Sequence, residues 1–116
     1  MSKLQALIAL RDKVKGETDA WYFGWASEGY LCGDIFQYRG VVNQAYNGSL
    51  DAAMALHKTV LPDAWAHVRM AGKYGHATVD VDGEEFEANN IPDNPARAWL
   101  LAILEALIAK EETDNG

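Results

Sequence analysis

The stretch NPARAWLLAILEALIAK, residues 94–110, is more apolar than a helix that exposes one face to solvent. Asn94 followed by Pro95 is typical of a helix N-cap and first helical position. Over the fourteen residues from Ala96 to Ala109 only Arg97 and Glu105 are charged, so other parts of the fold must cover more than one side of this helix. Its rise of about 21 Å is too short for a membrane core of about 30 Å. We expect an interior helix and no membrane contact.

The amino-terminal half predicts three helices, each with apolar residues at helical spacing and a glycine or proline close to its end. Their predicted spans are residues 2–15, 35–47 and 50–61, with Ser49 as the N-cap of the third. The intervening run ETDAWYFGWASEGYLCG has no clear period and predicts a loop or a short irregular strand.

Two runs after Pro62 alternate between apolar and polar residues. AWAHVRM, residues 64–70, and HATVDVD, residues 76–82, have the period of two that is typical of strands, so they predict an antiparallel hairpin. Asp82-Gly83 is a tight-turn signal, after which EEFEA predicts a short third strand and residues 89–95 a loop. In the first run the apolar face holds Ala64, Ala66, Val68 and Met70.

These elements predict one α+β domain spanning residues 1–116. It has amino-terminal helices, an antiparallel β-hairpin or three-stranded sheet, and a long apolar carboxy-terminal helix packed centrally. The hairpin and the earlier helices are expected to cover that helix. A homodimer could cover whatever remained.

Charge narrows the choice of partners. The net charge is −7, and the two parts of the chain differ: six acidic and six basic residues lie up to Lys58, against eleven acidic and four basic residues from Thr59 onward. This balance argues against direct nucleic-acid binding and against anionic membranes, and it favours a protein partner with a basic surface.

The single cysteine, Cys32, excludes an intramolecular disulfide, and no secretory-signal pattern is visible, so we expect a cytoplasmic location.

Two groups of residues are candidates for partner binding. The first is the acidic run near the hairpin tip, which holds Asp80, Asp82, Glu84, Glu85 and Glu87. Such a run is also compatible with a hard-cation site or with an ordinary solvated sheet face. The second group is aromatic, Trp21 and Trp25, which could anchor a protein partner or fill the core.

Evidence for catalysis is weak. GxSxG, P-loop, GxGxxG and HExxH patterns are absent, and we predict no catalytic residue, no cofactor and no metal. The alternative is a small metal-dependent enzyme that uses His67, His76 and Asp80, because two imidazoles across a hairpin and a carboxylate could hold zinc.

The segments AYNGSLDAAMALHKTVLPDAWAHVRM and NPARAWLLAILEALIAK resemble small uncharacterised phage and prophage proteins of alphaproteobacteria. The resemblance covers roughly residues 45–110, and its later part is similar to phage α-β-α sandwich domains. It implies a phage accessory protein that acts in the cytoplasm of a bacterial host. Taken together with the acidic second half and the absence of catalytic motifs, it leads us to expect a non-enzymatic protein that binds a host protein and inhibits a nucleic-acid-binding defence complex through the acidic surface. A virion or assembly component is a further alternative. The resemblance transfers no site residues.

Overall fold

The computed structural model describes residues 3–16, 39–92 and 94–115, which form four helices and a three-stranded antiparallel sheet. The predicted α+β class is confirmed. In chain order the elements are α1 Lys3–Gly16, α2 Arg39–Tyr46, α3 Leu50–Val60, β1 Trp65–Ala71, β2 Tyr74–Val81, β3 Glu84–Pro92 and α4 Pro95–Asn115. No helix within these ranges is long and apolar enough to span a membrane.

Helix α4 is the centre of the fold, as its composition predicts. Every residue from Ala96 to Leu104 is buried, and α4 contacts each of the six other described elements. The sheet covers one side, chiefly through β2 and β3, while α1, α2 and α3 cover others. Because the chain itself buries this helix, α4 gives no reason to expect a second copy.

The start of α4 is fixed to the end of α2 by polar contacts. Asn94 caps α4, since its Oδ1 accepts a hydrogen bond from the Arg97 backbone N–H at 2.8 Å. The carbonyl of Tyr46 accepts from Asn94 Nδ2 and from Arg97 Nε, both at 3.0 Å. The Arg97 guanidinium also lies 3.9 Å from the centroid of the Tyr46 ring. These contacts offset the cost of burying a cation that is only 5% exposed.

A second polar contact joins α3 to α4 inside the core. The Trp99 indole N–H donates to Nδ1 of His57 at 3.2 Å, and Nε2 of His57 lies 2.9 Å from the Ala64 carbonyl. An indole nitrogen can only donate, so His57 Nδ1 must accept and its proton must be on Nε2. The buried imidazole is therefore a neutral bridge between two helices and the segment that leads into β1.

The helix boundaries agree closely with the sequence prediction for the first and third helices, whereas α4 has 21 residues and continues past Lys110 to Asn115. The first and third predicted helices are each shifted or shortened by one residue, and the Ser49 hydroxyl accepts from the Ala52 N–H at 3.1 Å as an N-cap should. On α3, Leu56 is buried, whereas Leu50 and Met54 are exposed. The predicted loop at 17–33 and the start of the second helix lie outside the described residues.

Helix α1 is joined to α4 by an ion pair. Arg11 lies 3.0 Å from Glu105 and 3.1 Å from Asp12. Partial burial of Arg11 works against its charged form, but the hydrogen bonds to Glu105 and Asp12 outweigh it and raise the pKa of Arg11 above its ordinary value. The contact with Glu105 therefore favours the charged form of Arg11.

The sheet has the order β1-β2-β3, and both of its turns fit the residues present. Asp82 and Gly83 have φ values of 54° and 89°, as a type I′ turn requires, and this turn pairs Val81 with Glu84. The third strand is longer than predicted. Residues 89–92, expected as a loop, belong to β3 because Ile91 and Pro92 pair with Gly75 and Tyr74 beyond a register shift.

The two faces of the sheet have different environments. Residues of β2 and β3 that face the helices are largely buried, among them Ala77, Val79 and Ala88. Strand β1 extends beyond the helical layer, because every residue in it is exposed except the half-buried Val68. The expectation that the whole apolar face of the hairpin covers α4 is therefore wrong for Ala66 and Met70.

Candidate functional site

The polar face of the sheet, which we call the open face, is the candidate site. Directly paired residues of an antiparallel sheet share a face, so the register sorts its side chains into three rows across the strands. In order from the β2–β3 turn, the rows are Trp65, Asp80 and Glu85; then His67, Thr78 and Glu87; then Arg69, His76 and Asn89. All these residues are exposed or half-buried, so no described helix covers them.

Three of the predicted acidic residues come together on this face. Asp80 is directly opposite Glu85, and Glu87 is the next open-face residue along β3. Cross-strand neighbours are about 5 Å apart at Cβ, and next-nearest residues along a strand about 7 Å apart. We name Asp80, Glu85 and Glu87 the acidic sheet surface. The Asp80 carboxylate also accepts from the Gly83 N–H at 2.9 Å, which fixes it against the turn.

Among the described residues, no cation forms an ion pair with the acidic sheet surface. Within ranges 3–16, 39–92 and 94–115, neither glutamate of this surface forms an ion pair or a hydrogen bond. Like charges directly opposite each other destabilise a sheet. The pairing of Asp80 with Glu85 is therefore repulsive, and the hydrogen bond from the Gly83 N–H to Asp80 offsets only part of its cost.

The other two acidic candidates are placed differently. Asp82 occupies the turn rather than a strand, so it does not share a strand face with Asp80 as the alternation had suggested. Glu84 pairs with Val81 and so alternates to the side of the sheet opposite Glu85. Trp21 and Trp25, the aromatic candidates, lie outside the described residues.

The two strand histidines share the open face without facing each other. Arg69 is opposite His76, and Thr78 is opposite His67, so the imidazoles are diagonal neighbours. His76 Nδ1 lies 3.1 Å from Asn89 Oδ1, which can only accept, so this nitrogen carries the proton. Shallow depressions of about 380 Å³ and about 400 Å³ run along the rows, and His67, Thr78 and Glu87 line both.

A metal centre is not assembled here. Across the part of the chain that the structure describes, no three His, Cys, Asp or Glu side chains lie close enough together to hold a metal ion. In particular, His67, His76 and Asp80 do not form such a group. They occupy three different rows of the open face, two residues apart along the strands.

Comparison with known proteins adds no relative. Neither protein-family models, nor curated proteins, nor solved structures gave a match to this chain.

Trp65 and Arg69 are two open-face residues of β1 that the sequence prediction did not include in a site. In the structure Trp65 is 81% exposed, the largest exposure among the large hydrophobic side chains described. The Arg69 side chain is exposed, and it forms no ion pair or hydrogen bond with a described residue. The available signal was the alternation in AWAHVRM, which puts an indole among charged and polar positions, where a buried tryptophan is not expected.

Proposed function

We propose that this chain is a non-catalytic binding domain that docks its acidic sheet surface on a basic region of another protein. The observation that carries the proposal is the direct pairing of Asp80 with Glu85 beside Glu87, none of which forms an ion pair with a described residue. A sheet selected only for stability would place a lysine opposite an aspartate. A local cost in stability is often found where a surface has a function.

The chemistry of this surface favours a basic partner. Three carboxylates on paired strands form an anionic patch, and the net charge of −7 extends its attraction beyond direct contact. Such a patch can imitate nucleic-acid phosphates in charge. The partner class that follows is a protein that itself binds nucleic acid, whereas nucleic acid would be repelled.

The biological setting of the proposal rests on the sequence resemblance to phage proteins. In that setting the partner is a host protein of the bacterial cytoplasm, and docking would inhibit a nucleic-acid-binding defence complex. The metal-dependent alternative has no ligand set among the described residues. The virion-component alternative predicts a large assembly, which light scattering on the purified chain would detect.

The test uses charge reversal on the surface and an equal reversal elsewhere. The double variant Glu85→Lys/Glu87→Lys changes the net charge by four, and so does the control Asp51→Lys/Glu112→Lys at exposed positions on α3 and α4. Proteins captured from a bacterial lysate by the wild type are identified, and the leading one is purified and titrated with all three chains. We expect the surface variant to lose at least about tenfold in affinity and the control to lose much less, with binding weakened by salt.

A stability measurement gives the proposal a second, independent check. If Glu85 is retained for binding, the single variant Glu85→Lys should be more stable than the wild type by about 0.5 kcal/mol, since it replaces a repulsive cross-strand pair with an attractive one. Urea unfolding measures this difference. A variant that binds as tightly as the wild type, or equal losses for the surface variant and the control, would refute the proposal.

A further inference from the structure

Strand β1 is an edge strand that lacks the usual protection. It pairs only with β2 among the described strands, and its seven residues, WAHVRMA, contain no proline, no lysine and a single formal charge at Arg69. The β1–β2 register is continuous from Trp65↔Asp80 to Ala71↔Tyr74, with no bulge. Natural proteins block exposed edges with charges, prolines, bulges or covering segments, because an open edge is a template for another strand.

The opposite edge of the same sheet is protected. Strand β3 contains three glutamates and Pro92, and a register shift interrupts its pairing with β2 near Gly75 and Ala77. Lys15 of α1 also lines the depression that β3 forms with α4. The two edges therefore differ in the features that prevent pairing, and within residues 3–16, 39–92 and 94–115 β1 is the less protected edge.

Strand β1 exposes apolar side chains on both faces of the sheet. Trp65 is 81% exposed on the open face, while Met70 is 48% exposed, and Ala66 is exposed, on the helix side where the helical layer does not reach. A ligand on one face would leave the other face uncovered. An adjacent strand in the same sheet covers both, and it also satisfies the edge backbone groups.

We propose that β1 pairs antiparallel with β1 of a second copy across a two-fold axis, which joins the two sheets into one of six strands. The sequence of β1 is self-complementary about His67. In that register Trp65 lies opposite Arg69 of the second copy, and by symmetry the contact occurs twice. A guanidinium beside an indole is a favourable cation–π pair.

The other symmetric registers are poorer. Paired residues must share a face, so the axis passes beside one residue, and the candidates near the strand centre are His67, Val68 and Arg69. An axis at Arg69 places the two guanidinium groups opposite each other, which is repulsive. An axis at Val68 places each His67 opposite Arg69 and leaves Trp65 opposite Ala71. The register at His67 is the one that gives Trp65 a charged partner.

Sedimentation velocity of the full chain over a concentration series tests association. We expect a concentration-dependent shift from the mass of one chain to twice that mass, with no larger species. Ala66→Lys puts a charge on the helix side of the pairing edge and should weaken association by at least about tenfold. Ala55→Lys, the same substitution at an exposed position on α3, should leave it unchanged. A wild type that stays monomeric at every concentration up to about 1 mM overturns the proposal, since pairing that weak would be worth about 4 kcal/mol or less.

Disulfide trapping tests the register and does not depend on a destabilising change. In a Cys32→Ser background, His67→Cys places two thiols on the axis, within reach of a disulfide, and oxidation should yield a covalent dimer. Glu87→Cys, on β3 of the same face, should remain monomeric. A dimer that Ala66→Lys leaves intact, or that crosslinks no better at position 67 than at 87, contradicts β1 pairing. The acidic sheet surface is on the far strands, so Glu85→Lys/Glu87→Lys should leave the dimer unchanged.

Discussion

Gly75 is the position at which a single methyl group should do the most damage. A Cβ built there would lie 2.6 Å from both Cα and N of Pro95, and 2.8 Å from the Asn94 carbonyl carbon. These are backbone atoms at the start of α4, so rotation of a side chain cannot relieve the clash. The backbone dihedral φ of Gly75 is not in the left-handed region, so the requirement is for space alone.

The size of the effect follows from what must move. An ordinary carbon contact is about 3.5–4.0 Å, so Gly75→Ala must separate β2 from the first residues of α4 by about 1 Å. Overpacking of this kind costs about 1–3 kcal/mol, and displacement of the Asn94 cap about 1 kcal/mol more. We therefore expect Gly75→Ala to lose about 3 kcal/mol, which at this chain length corresponds to a fall in Tm of about 10 °C.

Urea and thermal unfolding, followed by circular dichroism, measure the loss. The matched control is Gly40→Ala on α2, where an added Cβ meets nothing within 4 Å. There the substitution should stabilise the fold by about 0.5 kcal/mol, because alanine has less conformational freedom to lose. A Gly75→Ala protein that melts within about 2 °C of the wild type would show that β2 and α4 do not approach as closely as described.

Two further substitutions test the polar contacts of α4. Arg97→Lys should cost about 1–3 kcal/mol, because an ammonium group cannot both donate to the Tyr46 carbonyl and stack on its ring as a guanidinium does; an unchanged urea midpoint would contradict this. Trp99→Phe should cost about 1–2 kcal/mol, since His57 Nδ1 loses its donor inside the core. The loss of core volume is common to both backgrounds, so Trp99→Phe should cost less where His57 is already replaced by Phe; equal losses in both backgrounds would reject the contact.

The part of the site that depends on strand register could be predicted from the sequence. Asp82-Gly83 specifies a two-residue turn, which pairs Val81 with Glu84 and hence Asp80 with Glu85. Counting outward from that turn separates Glu85 and Glu87 from Glu84. The sequence prediction groups all five acidic residues. Two of them do not belong to the acidic sheet surface, because Asp82 lies in the turn and Glu84 faces the other side of the sheet.

The other features of the fold and the site depend on how the helices are placed against the sheet, and the periodicity of the sequence does not encode that placement. Alternation in AWAHVRM identifies an apolar face, but it does not tell how far the helical layer extends beneath it, so the exposure of Met70 could not be foreseen. The bridge from His57 to Trp99 joins residues 42 positions apart, and no local pattern connects them. Exposed and buried histidines look alike in a sequence.

The position of α4 in the chain has a consequence for biosynthesis. Apart from pairing within the sheet and the contact of α2 with α3, the principal contacts between described elements all involve α4, which follows every other one of them in the chain. A nascent polypeptide therefore leaves the ribosome with its sheet and first helices lacking their common neighbour. Stable tertiary structure must wait until translation has passed α4, and until then the apolar surfaces that it will cover are open to chaperones and proteases.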